Sequence, residues 1–422
     1  MKKTLAILGY GMMFLTLACQ AQPPREEARP LTLADAEQQM RDKLPALRAA
    51  KYAVDAAGAD LVTAGEAPNP QFSVNTQSVS PNHSNGPGSF WNKQVDTTLQ
   101  LQQQIERGDK RGLRRKVATA EGHAAAADFD DALRTSRMAL AQAYYDLKYA
   151  QESEDIARKL FDLQQQSLNA AQLRLQAGDA ASVDVARLEV EVARAATDLS
   201  TAHTAKQVAQ LTLAQAIGAT DAGTSLVAVD EWPAVSDAKT GIGVDQRPDV
   251  RAAAARNEQS MAAVELARSQ QTRDVTVNVQ YEHYPQPGLY PNTVGVGFSV
   301  PLFAWHHYQG EVSRAEADHM IAEEALRNTR VAAVAEQAGI DAQMNGARER
   351  LLRFRDAIVD KATAAAQAAE YAYSRGALGL TDLLDARRAL QSVLQDAAAA
   401  KREYAKALLT WKAVNEANNG LR

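Results

Sequence analysis

The chain has 422 residues, 46% of them hydrophobic and only 6% aromatic, with 46 lysines and arginines against 51 aspartates and glutamates. Long tracts rich in Ala, Leu, Gln, Arg and Glu favour helix, and the scarcity of aromatic side chains argues against a compact globular core of this size. The small net charge of -5 and the even spread of basic residues argue against nucleic acid as a partner.

The N-terminus has the layout of a secretory signal. Two lysines precede an apolar run from Leu5 to Ala18, and small residues follow this run. Cys19 is the only cysteine, which excludes an internal disulfide. The preceding "LTLA" resembles a lipoprotein signal, in which the cysteine carries the lipid, although Thr16 stands where leucine is usual. We therefore expect export and lipidation at Cys19, with ordinary cleavage after Ala18 or Ala21 as the alternative.

The mature sequence contains two copies of one pattern. A segment beginning at Pro45, "PALRAAKYAVDAAGADLV", aligns with "PDVRAAAARNEQSMAAVELA" from Pro248. A stretch rich in Gly, Asp, Ser and Pro joins the copies, as expected of a linker. The predicted segments are a signal peptide at 1–18, an N-terminal segment at 19–31, a first repeat at 32–218, a linker at 219–245, a second repeat at 246–418 and a tail at 419–422.

Each copy is predicted to contain a helix, two strands, a long helix and a further helix. The strands are expected at 71–79, 94–102, 274–282 and 292–300, where apolar and polar side chains alternate. Aromatic residues stand near their ends, at Phe90, Trp91, Tyr281, Tyr284 and Tyr290. Strands of about nine residues with one apolar face are typical of outer-membrane β-barrels, whereas two soluble hairpins packed on helices are the alternative.

The helices are expected to be far longer than a globular core requires. The long helices, at about 112–176 and 307–374, would each measure roughly 95 Å at about 1.5 Å per residue. The shorter helices, at about 32–65 and 180–217 in the first copy, would match one long helix when placed end to end. Four strands cannot close a membrane barrel, which needs at least about eight, so several chains are expected to share one barrel.

These features together resemble the outer membrane factor family, the TolC-like channels of tripartite efflux and secretion systems. The resemblance rests on the duplicated layout, on "RPDVRAA" from Arg247, and on the breaks Gly178/Asp184 and Gly376/Asp382. Two segments, "QQQIERGDKRGLRRKVATAEG" and "SVPLFAWHHYQGEVSRAEAD", are similar to segments of the CzcC-like heavy-metal branch of this family.

The resemblance implies a mainly α-helical homotrimer in the outer membrane. Three chains would share a β-barrel of about 12 strands, and their coiled helices would form a periplasmic α-barrel of about 12 helices. The resemblance also implies coupling to a periplasmic adaptor and a proton-driven inner-membrane RND pump, with divalent heavy-metal cations as the exported substrate. Drug efflux and type I protein secretion are the alternatives within the channel class, and a periplasmic coiled-coil adaptor is the alternative outside it.

The resemblance assigns several residues to the periplasmic tip, where long and short helices meet. Gly178 and Gly376 would end helices there, since glycine adopts a positive φ without strain. Tyr373 and Asp184 match a tyrosine and an aspartate that hold the tip closed in related channels, although Leu378 replaces an arginine that is common beside the tyrosine. Closure by a contact between Tyr373 and Asp184 is therefore expected.

An acidic constriction is expected at the same tip. Asp382 and Asp385 lie one helical turn apart, so in a trimer they would form two acidic rings that select cations. Ordinary helix capping and solvated charge are the alternative interpretation of both residues.

No catalytic residue, cofactor or metal site is predicted. The sequence lacks a phosphate-binding glycine loop, a His-Glu-x-x-His motif and a nucleophile elbow, which argues against an enzyme. Of the seven histidines, only His319 has a ligand-like helical spacing to a carboxylate, that of Glu323. A water-filled duct has no need to chelate its cargo, so these histidines are not expected to bind metal.

Overall fold

The computed structural model describes most of the chain. The described residues are 29–81, 85–179, 181–219, 225–236, 243–284 and 291–415. The predicted signal peptide, Cys19, Tyr290 and the tail at 419–422 lie outside these ranges, as does the side chain of Phe90. None of the described helices has both the length and the apolar character that crossing a membrane requires.

Helices dominate the described part of the chain. They are α1 (Leu33–Lys43), α2 (Pro45–Ala64), α3 (Lys110–Ala177), α4 (Ser182–Ala216), α5 (Pro248–Ser269), α6 (Gln309–Arg353), α7 (Val359–Ser374) and α8 (Leu380–Asn415). Helix α3 alone has 68 residues, which corresponds to about 100 Å at about 1.5 Å per residue. The predicted mainly helical fold with very long helices is therefore confirmed.

Two of the expected helices are interrupted. Leu44 separates α1 from α2 with an extended backbone (φ -65°, ψ 118°), because the ring of Pro45 disfavours the helical conformation of the preceding residue. In the second copy, a π turn at Phe354–Ile358 separates α6 from α7. This turn lies beside a cavity of about 720 Å³ between the interrupted helix, α3 and α8. The helix expected at 307–374 is thus locally widened, whereas α3 is continuous.

The strands of the described residues are β1 (Arg29–Leu31), β2 (Gln71–Gln77), β3 (Asp96–Ile105), β4 (Leu226–Ala228), β5 (Val275–His283) and β6 (Asn292–Ser299). Four of them form one antiparallel sheet in the order β2-β3-β5-β6. The register forms two apolar rows, Phe72, Leu101, Val279 and Val296 in one, and Val74, Leu99, Tyr281 and Val294 in the next. Most of these side chains are exposed, so the predicted apolar face is present and uncovered within one chain.

The opposite face of the sheet is polar. Its rows include Gln100, Gln280 and Gly295, and next to them Gln102, Asn278 and Gly297. A Cβ added at Gly297 would lie 2.8 Å from Oδ1 of Asn278, so glycine leaves room for the neighbouring amide. Because side chains alternate with a period of two, a slip of one residue would exchange the apolar and polar faces, which fixes the register.

The helices pack around the middle of α3, where Tyr144 is fully buried. Its hydroxyl lies 2.8 Å from Oδ2 of Asp230 and 3.0 Å from the carbonyl oxygen of Leu31. The indole N–H of Trp232 donates to Glu152 of α3 at 2.9 Å. These bonds hold β1, β4 and the residues after β4 against α3. The sequence did not predict the two strands, which are short and pair in parallel.

The segment that resembles the heavy-metal branch forms the joint between β3 and α3. Lys110 is buried and donates to Oδ1 of Asp274 at 2.8 Å, and the backbone N–H of Arg107 donates to the same oxygen at 3.0 Å. Gly108 has a φ of 76°, and a Cβ added there would lie 2.9 Å from Cβ of Thr272. This segment therefore connects a strand to a helix through close contacts that need glycine and a buried ion pair.

Arg247 is the buried centre of an ion network at the start of α5. Its side chain is 1% exposed, and it donates to both carboxylate oxygens of Asp249, at 3.1 and 2.7 Å, and to Oε2 of Glu336 at 2.5 Å. A further hydrogen bond reaches the carbonyl oxygen of Ala333 at 3.4 Å. Arg134 of α3 lies 4.0 Å from each of the two carboxylates. The network thus joins α3 to α5 and α6, which come from different halves of the chain.

Candidate functional site

The tip of the molecule lies where α3 turns into α4 and α7 turns into α8. Gly178 follows α3 with a φ of 85°, and Gly376 follows the end of α7 with a φ of 74°. The N–H of each glycine donates to a carbonyl of the last helical turn at 3.0 Å. Asp184 and Asp382 lie in the first turns of α4 and α8, where the positive end of the helix dipole favours a carboxylate.

Tyr373 and Asp184 are both half-buried at the tip. Tyr373 packs against a small apolar cluster that includes Leu168, Leu188 and Leu384. The hydrogen bonds of the described residues do not include one between Tyr373 and Asp184. Their predicted role in holding the tip closed stays a prediction.

Other hydrogen bonds join the first tip coil, α3 with α4, to the second tip coil, α7 with α8. Nη2 of Arg388 donates to Oε1 of Glu191 at 2.5 Å, and Nη1 of Arg388 donates to Oδ1 of Asp385 at 3.0 Å. Nη1 of Arg187 donates to the hydroxyl of Thr381 at 3.1 Å. The two coils of one chain are therefore tied by an ion pair and by a hydrogen bond from a guanidinium to a hydroxyl.

A buried arginine adds a third tie between the coils. Arg387 donates to the hydroxyl of Ser167 on α3 at 2.9 Å and to Oε1 of Glu370 on α7 at 3.1 Å. Sequence reasoning missed these contacts. The three-residue spacing from Asp385 could have suggested the pairing with Arg388, but Glu191 is 197 residues away in sequence and gives no local signal.

The two predicted acidic residues have different surroundings. Asp385 is bonded to Arg388, which it shares with Glu191, whereas Asp382 is exposed and has no ion pair among the described residues. The negative charge of Asp385 is therefore partly balanced within its own chain. The charge of Asp382 is not.

In the channel that the family resemblance implies, we expect Asp382→Asn to reduce the cation preference at least about twofold, and Asp385→Asn to reduce it less. The reason is that Asp385 is hydrogen-bonded to the guanidinium of Arg388, whereas Asp382 has no ion pair among the described residues. Reversal potentials in asymmetric potassium chloride across planar bilayers would measure the preference. Equal effects of the two substitutions would contradict the unequal balance of charge.

The polar face of the sheet carries two carboxylates, Asp96 and Glu282, and its four strands contain no lysine or arginine. Within the described ranges, no group of three or more His, Cys, Asp and Glu side chains could hold a metal ion. His319 and Glu323 have other neighbours, since Nδ1 of His319 lies 3.1 Å from the hydroxyl of Ser260 and Glu323 pairs with an arginine on its own helix. This face can line an aqueous passage with amide and hydroxyl groups.

Comparison with known proteins gives a family and several relatives. A family model described as "Outer membrane efflux protein" matches residues 37–219 and 244–414. The cobalt-zinc-cadmium resistance protein CzcC of Cupriavidus metallidurans is 25% identical over 373 residues, which cover 87% of this chain and 85% of that protein. The pyoverdine export outer membrane protein OpmQ of Pseudomonas putida is 26% identical over 237 residues, 53% of this chain and 49% of that protein.

Among solved structures, the outer membrane protein VceC of Vibrio cholerae has a similar fold. The TM-score is 0.73 at 21% sequence identity, and the match covers 90% of this chain and 95% of that chain. The four-stranded sheet at one end of very long helices is therefore an arrangement that this chain shares with an outer membrane protein.

Proposed function

The chain belongs to the outer membrane efflux protein family, and within this family we propose that it is the export duct for divalent heavy-metal cations. It is an outer-membrane efflux channel of the kind used by tripartite systems, with a long periplasmic helical extension, and it is not an enzyme. The cargo would pass from the periplasm or cytoplasm to the exterior.

The proposed cargo is supported chiefly by the extent of the match to a cobalt-zinc-cadmium resistance protein, which spans most of both chains. The charge of the polar sheet face agrees with it, because Asp96 and Glu282 attract cations and the four strands contain no lysine or arginine that would repel them. Solvated cations could pass such a surface without being bound tightly.

We propose that three copies assemble into one channel, because the sheet has two open edges within one chain. Strands β2 and β6 are the edges, and unpaired backbone groups are too costly to leave exposed to lipid. Pairing of β6 with β2 of the next copy would close the barrel. Mass measurement in detergent should give a trimer, and a stable water-soluble monomer would contradict the assembly.

A periplasmic adaptor and an inner-membrane RND pump are the proposed partners, because a duct of this family has no energy source of its own. Tripartite systems supply the driving force from the inner membrane. Copurification from detergent extracts after cross-linking in the periplasm would identify both partners.

Deletion of the gene is expected to sensitise the source cells to salts of one or more of cobalt, zinc, cadmium and nickel, and expression of the wild-type chain should restore resistance. Growth inhibition by each salt measures the effect, with copper and silver salts and a panel of organic drugs as comparisons. Sensitivity to organic drugs alone would contradict the metal cargo while leaving the channel itself intact.

Export of an organic molecule is the second candidate function. The chain also matches a pyoverdine export protein over 237 residues, although this match covers about half of each chain. The same deletion strain separates the two candidates, because loss of organic export would change drug sensitivity without changing tolerance of metal salts.

A further inference from the structure

The turn that connects β6 to α6 exposes two large apolar side chains. Trp305 is 95% exposed and Leu302 is 80% exposed. Between them, Phe303 is half-buried, with its ring 5.3 Å from that of Tyr308 and 5.2 Å from the guanidinium carbon of Arg273. Phe303 therefore packs the turn against the rest of the chain, while Leu302 and Trp305 are exposed.

The exposed band continues directly from the apolar face of β6. Val294, Val296 and Phe298 alternate along this strand with 74%, 77% and 79% of their side chains exposed. From Val294 to Phe298 is only about 13 Å at about 3.3 Å per residue, whereas the apolar band of an outer-membrane barrel is about 25 Å tall. Leu302 lies four residues further along, beyond the end of β6 at Ser299, and extends the exposed apolar band by at most about 13 Å.

The position of the turn along the molecule sets its depth in the membrane. β6 leads through this turn into α6, and the long helices form the periplasmic extension. The turn therefore lies at the periplasmic edge of the barrel. Tryptophan favours this boundary, because its large ring is apolar while its N–H can donate to water or to a headgroup.

We propose that Leu302 and Trp305 are a membrane anchor that inserts into the phospholipid leaflet on the periplasmic side of the outer membrane. The edge strand β2, to which a neighbour would add β6, is preceded by residues 65–70, "GEAPNP", which contain no large apolar side chain. The continuous exposed face of β6 instead points to lipid as the occupant.

The first copy of the pattern has a different chemistry at the equivalent joint. Between β3 and α3 the chain reads Glu106, Arg107, Gly108 and Asp109, with Glu106 paired to Arg114. No aromatic residue occurs there. Around a trimer, polar joints would therefore alternate with joints that insert a tryptophan, so that each chain contributes one anchor.

Depth-dependent quenching of tryptophan fluorescence tests the anchor on the full-length trimer in phosphatidylethanolamine and phosphatidylglycerol vesicles. The difference in emission between wild type and Trp305→Phe isolates the signal of Trp305. Phospholipids with bromine near the headgroup end of the acyl chain should quench this signal at least about twofold more than phospholipids with bromine near the methyl end. Trp411→Phe is the matched control, because Trp411 is buried between helices and donates to Asp341 at 2.8 Å, so its signal should not respond to either lipid.

Two outcomes would overturn the anchor. If acrylamide in water quenches the Trp305 signal and neither brominated lipid does, the side chain faces the lumen or the periplasm. If no quencher reaches it, a neighbouring copy covers it. Single-channel recording after fusion of the same vesicles with a planar bilayer reports separately whether the protein forms a channel. Conductance without quenching of Trp305 by lipid would contradict the anchor alone, whereas absence of conductance would contradict the channel.

Discussion

Replacing Arg388 and Glu191 together by glutamine is expected to increase the mean conductance of the channel in planar bilayers several-fold. Their ion pair ties the two tip coils of one chain, and Glu191 is nearly buried. Because Arg388 is 48% exposed, solvent screens this pair, and a contribution of about 1 kcal/mol corresponds to a shift of roughly fivefold in a two-state equilibrium. That is enough to favour a closed tip, yet small enough for contacts with an adaptor to overcome. Changing both residues removes the nearly buried carboxylate together with Arg388, so that Glu191 is not left with Arg194 alone, which donates to its Oε1 at 3.2 Å.

Sensitivity to large antibiotics gives a second measurement of the same variant, because an open tip would admit molecules that the outer membrane normally excludes. The matched control is Arg353→Gln with Glu349→Gln, an exposed ion pair within α6 that cannot join two coils. Tyr373→Phe with Asp184→Asn tests the contact expected from the family resemblance. If only this last variant opens the channel, the tie between Arg388 and Glu191 is not the latch.

The features that the sequence predicted are those that depend on neighbouring residues. The alternation in "TVNVQYE" predicted a strand with an apolar and a polar face, and the register places Val279 and Tyr281 on one face and Asn278 and Gln280 on the other. The continuous helix α3 was predicted for a similar reason, since its tract of strong helix formers is broken only at its ends.

The features that the sequence did not predict depend on partners far away in the chain. Strands β1 and β4 have three residues each and pair only with one another, so neither carries a periodic pattern. The tie between Arg388 and Glu191 and the burial of Arg247 arise from packing between the two halves of the chain. Arg247 belongs to a family motif that the sequence showed, but its partner Glu336 is 89 residues away in sequence, so the contact between them gave no local signal.

Replacing Arg247 by methionine is expected to lower the free energy of unfolding by up to about 3 kcal/mol, less than the cost of breaking a fully buried ion pair, because Asp249 is 24% exposed and Glu336 is 42% exposed. Methionine has a similar length and preserves packing, but it cannot donate to Asp249 or Glu336. Arg134 cannot fully replace it, since it lies 4.0 Å from both carboxylates and is itself paired with Asp131 at 2.8 Å. Unfolding of the full-length protein by urea in detergent, monitored by the helical circular dichroism signal, would measure the decrease in the free energy of unfolding.

Acidification gives an independent measurement of the same network. Burial alone would raise the pKa of Asp249, but hydrogen bonds and charge from Arg247 outweigh burial and hold this pKa below its ordinary value. The ionised carboxylate therefore contributes stability that is fully present above the pKa of the unfolded state and is lost as pH falls through the lower pKa of the folded state. Arg247→Met removes the cause of this lowering, so acid should destabilise the variant less than it destabilises the wild type.

Arg251→Met is the matched control, because Arg251 lies one turn further along α5, is 49% exposed and pairs with Asp130 at 3.3 Å. Loss of such a surface pair should cost no more than about 1 kcal/mol. Arg247→Met combined with Asp249→Asn and Glu336→Gln should recover part of the stability, because no carboxylate is then left without a cation. If Arg247→Met lowers the free energy of unfolding no more than Arg251→Met does, apolar packing alone stabilises the junction between α3, α5 and α6, and the ion network does not contribute to its stability.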